Sequence, residues 1–142
     1  MFNWNEKYSV GFEEIDLQHQ KFFKLADGVI ALIGNKSEKS DIKLKAKELY
    51  DYAKWHFNTE KTYVSSCNTN SFDDHLADHE AILFKIEVFI DDMDKYDSNF
   101  GSELMVMLKD WFLNHILILD KKLYSCIIEK KQNDIIIKDK NL

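Results

Sequence analysis

The stretch Phe72-Asp73-Asp74-His75-Leu76-Ala77-Asp78-His79-Glu80-Ala81-Ile82-Leu83-Phe84-Lys85-Ile86 decides the fold class of this chain. Phe72, His75, His79, Ile82 and Ile86, continued by Phe89 and Met93, recur at three and four residues, the spacing that keeps side chains on one face of an α-helix. Two imidazoles therefore stand where apolar residues belong. Working outward, the same period runs through Phe12, Ile15, His19, Phe22, Ala26, Val29 and Ile33, and through Ile42, Ala46, Leu49, Ala53, His56, Glu60 and Tyr63. It returns in Leu104, Leu108, Trp111, His115, Ile118 and Lys122, with Asp120 close behind His115. Each of four helices turns at least one histidine inward.

Composition supports an all-α reading. The chain has 142 residues, no proline and four glycines, and one domain of this size buries roughly 68–70% of its unfolded surface. Gly34 suits a helix C-cap, and Ser71-Phe72-Asp73-Asp74 resembles a capping box with Asp in place of Glu. The polar stretches 35–40, 68–71 and 94–102 serve as connections. Connections this short imply antiparallel neighbours, hence an up-down-up-down four-helix bundle with an N-terminal extended arm and a short C-terminal tail.

Several function classes are excluded. The N-terminus lacks a basic segment followed by an apolar one, so no signal peptide is expected, and no apolar run is long enough to span a bilayer. Cys67 and Cys126 lack metal-ligand spacing, and two cysteines are not expected to make a disulfide scaffold. The cytoplasm is the expected location. The formal charge of -6, without a basic stripe, argues against nucleic acid as a partner. Asp91, Asp92, Asp94 and Asp97 lack the glycine and glutamate of a calcium loop and read as a solvated connection.

Taken singly, the polar seam residues have ordinary explanations. His19 alone would more often be a hydrogen-bonded core histidine than a ligand, and His56 with Glu60 could be a salt bridge worth ~0.2–0.5 kcal/mol on a surface. His75 and His79 are more telling, because imidazoles on adjacent turns can grip one ion. Together, five imidazoles and two carboxylates in one core would cost several kcal/mol per buried charge. A domain with ~5–15 kcal/mol of net stability could not tolerate that. Metal coordination pairs all seven at once.

Seven ligands exceed the six of one octahedral ion, so two metals are implied. With both carboxylates and a solvent oxygen bridging, about eleven of twelve octahedral positions are filled. The remaining position, inside an apolar core, would admit a small uncharged molecule. The ligand types suit iron, zinc, copper or nickel alike. His115 and Asp120 lie about 140° apart on an ideal helix of ~3.6 residues per turn. Either a π-bulge intervenes or the two reach around the cluster from opposite flanks.

The segments from Trp4 to Gly11, Ile15-Asp16-Leu17-Gln18-His19, His56-Phe57-Asn58-Thr59-Glu60, His75-Leu76-Ala77-Asp78-His79 and Trp111-Phe112-Leu113-Asn114-His115-Ile116-Leu117-Ile118-Leu119-Asp120 resemble the hemerythrins, particularly their single-domain bacterial branch. The resemblance implies one domain over 1–130, followed by a tail over 131–142. It also implies two iron ions (Fe2+/Fe3+) with a bridging oxo or hydroxo group, reversible O2 binding, and no catalytic residues. Carried over, His75, His79 and His115 would hold one iron, His19 and His56 the other, and Glu60 and Asp120 would bridge them. The two-histidine iron would have the open position, and Phe57, Trp111, Phe112 and Ile116 would line the O2 pocket.

The chain departs from the family pattern in having Ser65-Ser66-Cys67-Asn68 where many relatives carry Tyr-Pro, and Phe112 where leucine is common. Residues beyond Glu129 are expected to form a loosely ordered tail. The alternative function is a di-iron enzyme acting on peroxide, O2 or nitric oxide. The Glu-x-x-His motifs typical of O2-activating bundles are absent, which favours the carrier.

Overall fold

The computed structural model of the chain describes residues 3–67, 71–93 and 100–140. Helix α1 spans Glu13–Gly34, α2 Lys39–Val64 and α3 Ser71–Asp92. A fourth rod is made of α4 (Phe100–Asn114), a π-helical stretch (His115–Asp120) and α5 (Lys121–Lys140) in unbroken succession. Side-chain pairs fix the topology. Gln18 meets His56, and Gly28 lies against Lys45. Phe57 stacks on His79 while Glu60 meets His75, and Phe12 packs on Tyr124 while Phe22 packs on Phe112. In each pair of rods, residue numbers rise on one as they fall on the other, so neighbours are antiparallel and the four rods form an up-down-up-down bundle.

The apolar seams supply the core. Ile15, Phe22, Ala26, Val29, Ala46, Leu49, Ala53, Ile82, Ile86 and Leu108 are all essentially inaccessible to solvent, each large one worth ~1.5–3 kcal/mol of burial. The fourth seam departs from its expected course. Ile118 is 62% exposed and Lys122 is also exposed, whereas Ile116, Leu123 and Tyr124 are buried. The π stretch is the cause, because an i→i+5 turn holds one extra residue and rotates everything after it relative to an α-helical register.

Helix α1 ends one step later than expected. Gly34 is its last helical residue, and the left-handed position falls on Lys36, with φ 53°. Ser37 N–H donates to Leu32 C=O and Lys36 N–H to Ile33 C=O, both at 3.0 Å, the hydrogen-bond pair of a Schellman turn. Lys36 therefore takes the place that glycine usually fills. Helix α3 begins at Ser71, but the side chain of Ser71 and residues 68–70 and 94–99, including Asp94 and Asp97, lie outside the described residues.

The N-terminal arm is pinned to α1. Asp16 accepts hydrogen bonds from Ser9 Oγ at 2.5 Å and from Val10 N–H at 2.9 Å, and Trp4 and Tyr8 pack their rings on Phe23. Gly11 turns the arm with φ 85°, and a Cβ there would sit 3.0 Å from Ile128 Cδ1. Two expectations are corrected. The segment expected as a loose tail continues α5 as helix to Lys140, with Glu129–Ile136 exposed. A helix already nucleated by packing propagates at little cost per residue. Cys67 and Cys126, not expected to form a disulfide framework, are joined by a disulfide that ties the end of α2 to α5. They stand 59 residues apart in the chain, so no local spacing announces the bond.

Candidate metal centre

All five histidines and both seam carboxylates converge in the middle of the bundle. His19 comes from α1, His56 and Glu60 from α2, His75 and His79 from α3, and His115 and Asp120 from the two ends of the π stretch. None is more than 3% exposed. On α2 and α3 the spacing of four does the work, since His56/Glu60 and His75/His79 each stack one turn apart. His115 and Asp120 meet the same point through the wider turn, Nε2 lying 3.1 Å from Oδ1.

Each carboxylate divides its oxygens between two histidine groups. Glu60 Oε1 lies 2.7 Å from His56 Nε2 and 3.5 Å from His19 Nε2, while its Oε2 lies 3.1 Å from His75 Nε2 and 3.2 Å from His79 Nε2. Asp120 Oδ1 lies 3.0 Å from His75 Nε2, while its Oδ2 lies 3.3 Å from His19 Nε2. Donor atoms within 4.8 Å of one another fall into two sets, Glu60 with His75, His79, His115 and Asp120, and Glu60 with His19 and His56.

These donors fit a metal better than they fit each other. His79 Nε2 and His115 Nε2 face at 2.9 Å, while His115 Nδ1 is engaged by Asp78, so both Nε2 atoms converge on one point. His19 Nε2, Glu60 Oε1 and both Asp120 oxygens are buried and meet only other members of the cluster, a costly concentration of polar atoms that a cation would satisfy. An ion about 2.1 Å from each donor would set neighbouring donors about 3 Å apart. That matches the 2.7–3.5 Å separations here.

Charge explains how the protein holds this cluster together. Burial alone would lower the basicity of His19, but hydrogen bonds and attraction from Asp120 and Glu60 outweigh it and raise the imidazole to about 9. His115 rises to about 10 in the same way, burial being outweighed by Asp120, Asp78 and Glu60. Burial pushes Glu60 and Asp120 upward, as does their mutual repulsion for Asp120, yet the surrounding imidazoles hold both well below the usual carboxylate range. Without metal, His19 and His115 thus carry protons at neutral pH, whereas a metal ligand must be neutral imidazole. Loading should release on the order of two protons per chain at pH 7. Affinity should climb as pH rises toward 9–10, where these imidazoles lose their protons. Titration of the metal-free protein with ferrous iron in weak buffer, read by a pH electrode, checks this, and pH-independent loading would contradict it.

Two polar neighbours of the cluster were not singled out from the sequence. Gln18 Oε1 accepts from His56 Nδ1 at 2.6 Å, and Asp78 Oδ2 accepts from His115 Nδ1 at 2.7 Å. Each immediately precedes a seam histidine, so it points sideways toward the next helix. Adjacency to a ligand was the available signal, but it does not say which neighbouring ring is reached.

Of the expected pocket residues, Phe57 stacks on His79 with centroids 3.9 Å apart, and Trp111 stacks on His115 at 4.4 Å. Phe112 packs on Phe22, centroids 3.8 Å apart, one turn from His19, and Ile116 is fully buried.

Fold and donor set together define a metal-binding four-helix bundle of the histidine–carboxylate, non-haem class. A family model described as the hemerythrin HHE cation binding domain matches residues 10–127. The chain is 29% identical over 126 residues to a bacteriohemerythrin of Clostridium acetobutylicum, covering 86% of this chain and 98% of that one. It is 30% identical over 121 residues to a hemerythrin subunit alpha of Lingula anatina, covering 85% and 91%. A crystal structure of a wild-type hemerythrin shares the fold with TM-score 0.78 at 21% identity, over 89% of this chain and 97% of that one. The chain belongs to the hemerythrin family. Such membership implies O2 binding at a di-iron site, and the histidine–carboxylate cluster for it is present.

Proposed function

We propose that the centre holds two iron ions, with Glu60 and Asp120 and an oxo or hydroxo group bridging them, and that it binds O2 reversibly rather than consuming it. The observation that carries this reading is the division of each carboxylate's two oxygens between two histidine groups. His75, His79 and His115 would hold one ion and His19 and His56 the other, leaving the open position at the second. When bound, the ferrous pair supplies the electrons that O2 takes up. The chain's own residues supply the rest. Phe57 and Trp111 lock the His79 and His115 rings by stacking, and Phe112 and Ile116 keep the pocket apolar and exclude water and anions.

Purified protein should contain about two irons per chain and recover its deoxy spectrum through repeated oxygenation and argon purging. Steady O2 consumption with a reductant would instead establish the enzyme reading, in which the centre acts on O2, peroxide or nitric oxide. Phe112 should crowd the route to the open position, so Phe112→Leu should speed O2 release and azide entry severalfold at unchanged iron content. Equal stopped-flow rates in the two proteins would remove Phe112 from the pocket.

Oxygen storage, delivery or scavenging in the cytoplasm suits this reading. No helix among the described residues is long and apolar enough to cross a membrane. In a reducing cytoplasm the Cys67–Cys126 bond would open, and in an oxidising compartment it would persist. Thiol trapping during cell fractionation reads both location and bond.

A further inference from the structure

The five imidazoles differ in what stands behind them. His19 Nδ1 and His75 Nδ1 are buried without a partner. His115 Nδ1 and His56 Nδ1 each donate to the protein, His115 to the Asp78 carboxylate and His56 to the Gln18 amide oxygen. These bonds fix the tautomer. With Nδ1 engaged behind it, the Nε2 of each ring faces the centre, beside Asp120 Oδ1 in one case and Glu60 Oε1 in the other. Each donor set thus contains a ring anchored from behind, and these two anchors differ in charge.

That difference has chemical weight. A carboxylate on the far nitrogen of an imidazole pushes electron density toward the ligating nitrogen and stabilises the higher charge of an oxidised metal. A neutral amide orients the ring just as firmly and adds little charge. Asp78 is also the wetter of the two. Its side chain is 34% exposed, against 2% for His115, so solvent reaches the carboxylate while its Oδ2 holds the buried ring. Gln18 is 8% exposed and lines a surface groove between α1 and α2 together with Glu14, Leu17, Lys21, Tyr52 and Trp55. A carboxylate in its place would lie in drier surroundings.

We propose that Asp78 and Gln18 are positioning residues of opposite electrostatic character, Asp78 making the three-histidine position the electron-richer half of the centre and Gln18 keeping the two-histidine position electron-poorer. The inference rests on the proposed di-iron reading. A less electron-rich iron next to the open position releases O2 more readily as O2 and gives up electrons less readily to solvent. The amide behind His56 therefore favours reversible binding over oxidation, while the carboxylate behind His115 keeps the neighbouring ion firmly held.

Charge-swapped variants separate this from simple scaffolding. Asp78→Asn preserves shape and an oxygen acceptor but removes the charge, and Gln18→Glu does the reverse. Iron content, ferrous affinity by chelator competition and the midpoint potential of the centre are measured on both variants, on Asp78→Ala and on the unsubstituted protein. Asp78→Asn should move the potential positive and Gln18→Glu should move it negative, each retaining iron. Asp78→Ala, which loses the bond altogether, should weaken ferrous binding roughly 10–100-fold. Unmoved potentials, or shifts of the same sign in both swaps, would show that the two residues only fill space and would overturn the proposal while leaving the di-iron reading intact. Absence of iron from the unsubstituted protein after ferrous reconstitution would overturn both.

Discussion

Glu60→Ala and Asp120→Ala should each empty the centre of both irons, whereas His19→Ala should leave about one iron per chain bound. Each carboxylate places one oxygen beside the His19 side and the other beside the His75 side, so truncating it withdraws a donor from both positions at once. His19 reaches only its own side, with neighbours in Glu60 and Asp120 and a ring contact to His56. The carboxylate variants should also be destabilised before metal is considered. Removing one partner of a buried charge cluster typically costs about 3–5 kcal/mol, because the remaining imidazolium is left unpaired. Iron analysis after ferrous reconstitution, paired with urea melts of the metal-free proteins, gives both quantities. Equal loss of metal in all three variants would refute the division into a two-histidine and a three-histidine position.

Breaking the Cys67–Cys126 bond should have the next largest effect. The bond closes a loop with a sequence separation of 59, for which the chain-entropy relation gives about 4 kcal/mol of stabilisation. In a domain of this size that corresponds to roughly 10 °C in Tm. Cys67→Ser should melt lower by that amount and become indifferent to reductant, while the oxidised parent should fall to the same Tm when reduced. A parent whose melting ignores reductant would contradict the prediction. The consequence reaches the site as well. Cys67 lies seven residues beyond Glu60, just past the end of α2, and Cys126 lies six residues beyond Asp120 on α5, so the disulfide ties together the two rods that carry Glu60 and Asp120. Lys130 Nζ, bonded to Ser66 C=O at 2.8 Å, is a weaker second tie at the same end. Iron should therefore leave the reduced protein faster than the oxidised one when both face the same chelator.

The helices and their inward faces were legible in the chain because the period of apolar residues is a local property. Each seam needs only its own stretch of sequence to show itself, and three of the four ran as read. The donor set was legible for a related reason, since imidazole and carboxylate at apolar positions have few explanations other than a shared ligand. The left-handed turn after α1 falls on Lys36, two residues past Gly34, because glycine marks such a position by type while the hydrogen bonds that create one are set by where the chain must turn. Gln18 and Asp78 escaped notice because each serves a ring on a different helix, 38 and 37 residues away along the chain.

By itself, then, the sequence determined an all-α bundle with antiparallel neighbours, an apolar core and a central layer of seven polar donors, because periodicity and residue type are carried by short stretches. Tertiary structure alone decided three things. It chose the π stretch over the other route by which His115 and Asp120 could share a centre. Nothing in His115-Ile116-Leu117-Ile118-Leu119-Asp120 distinguishes the two, and the wider turn is retained because it buries both donors at one point and rotates Leu123 and Tyr124 inward behind them. It joined Cys67 to Cys126, a pairing that exists only once α2 and α5 lie side by side with their Cα atoms 6.4 Å apart. It also set a carboxylate behind one histidine and an amide behind another, since a hydrogen bond between helices depends on their packing and not on the local pattern of either one.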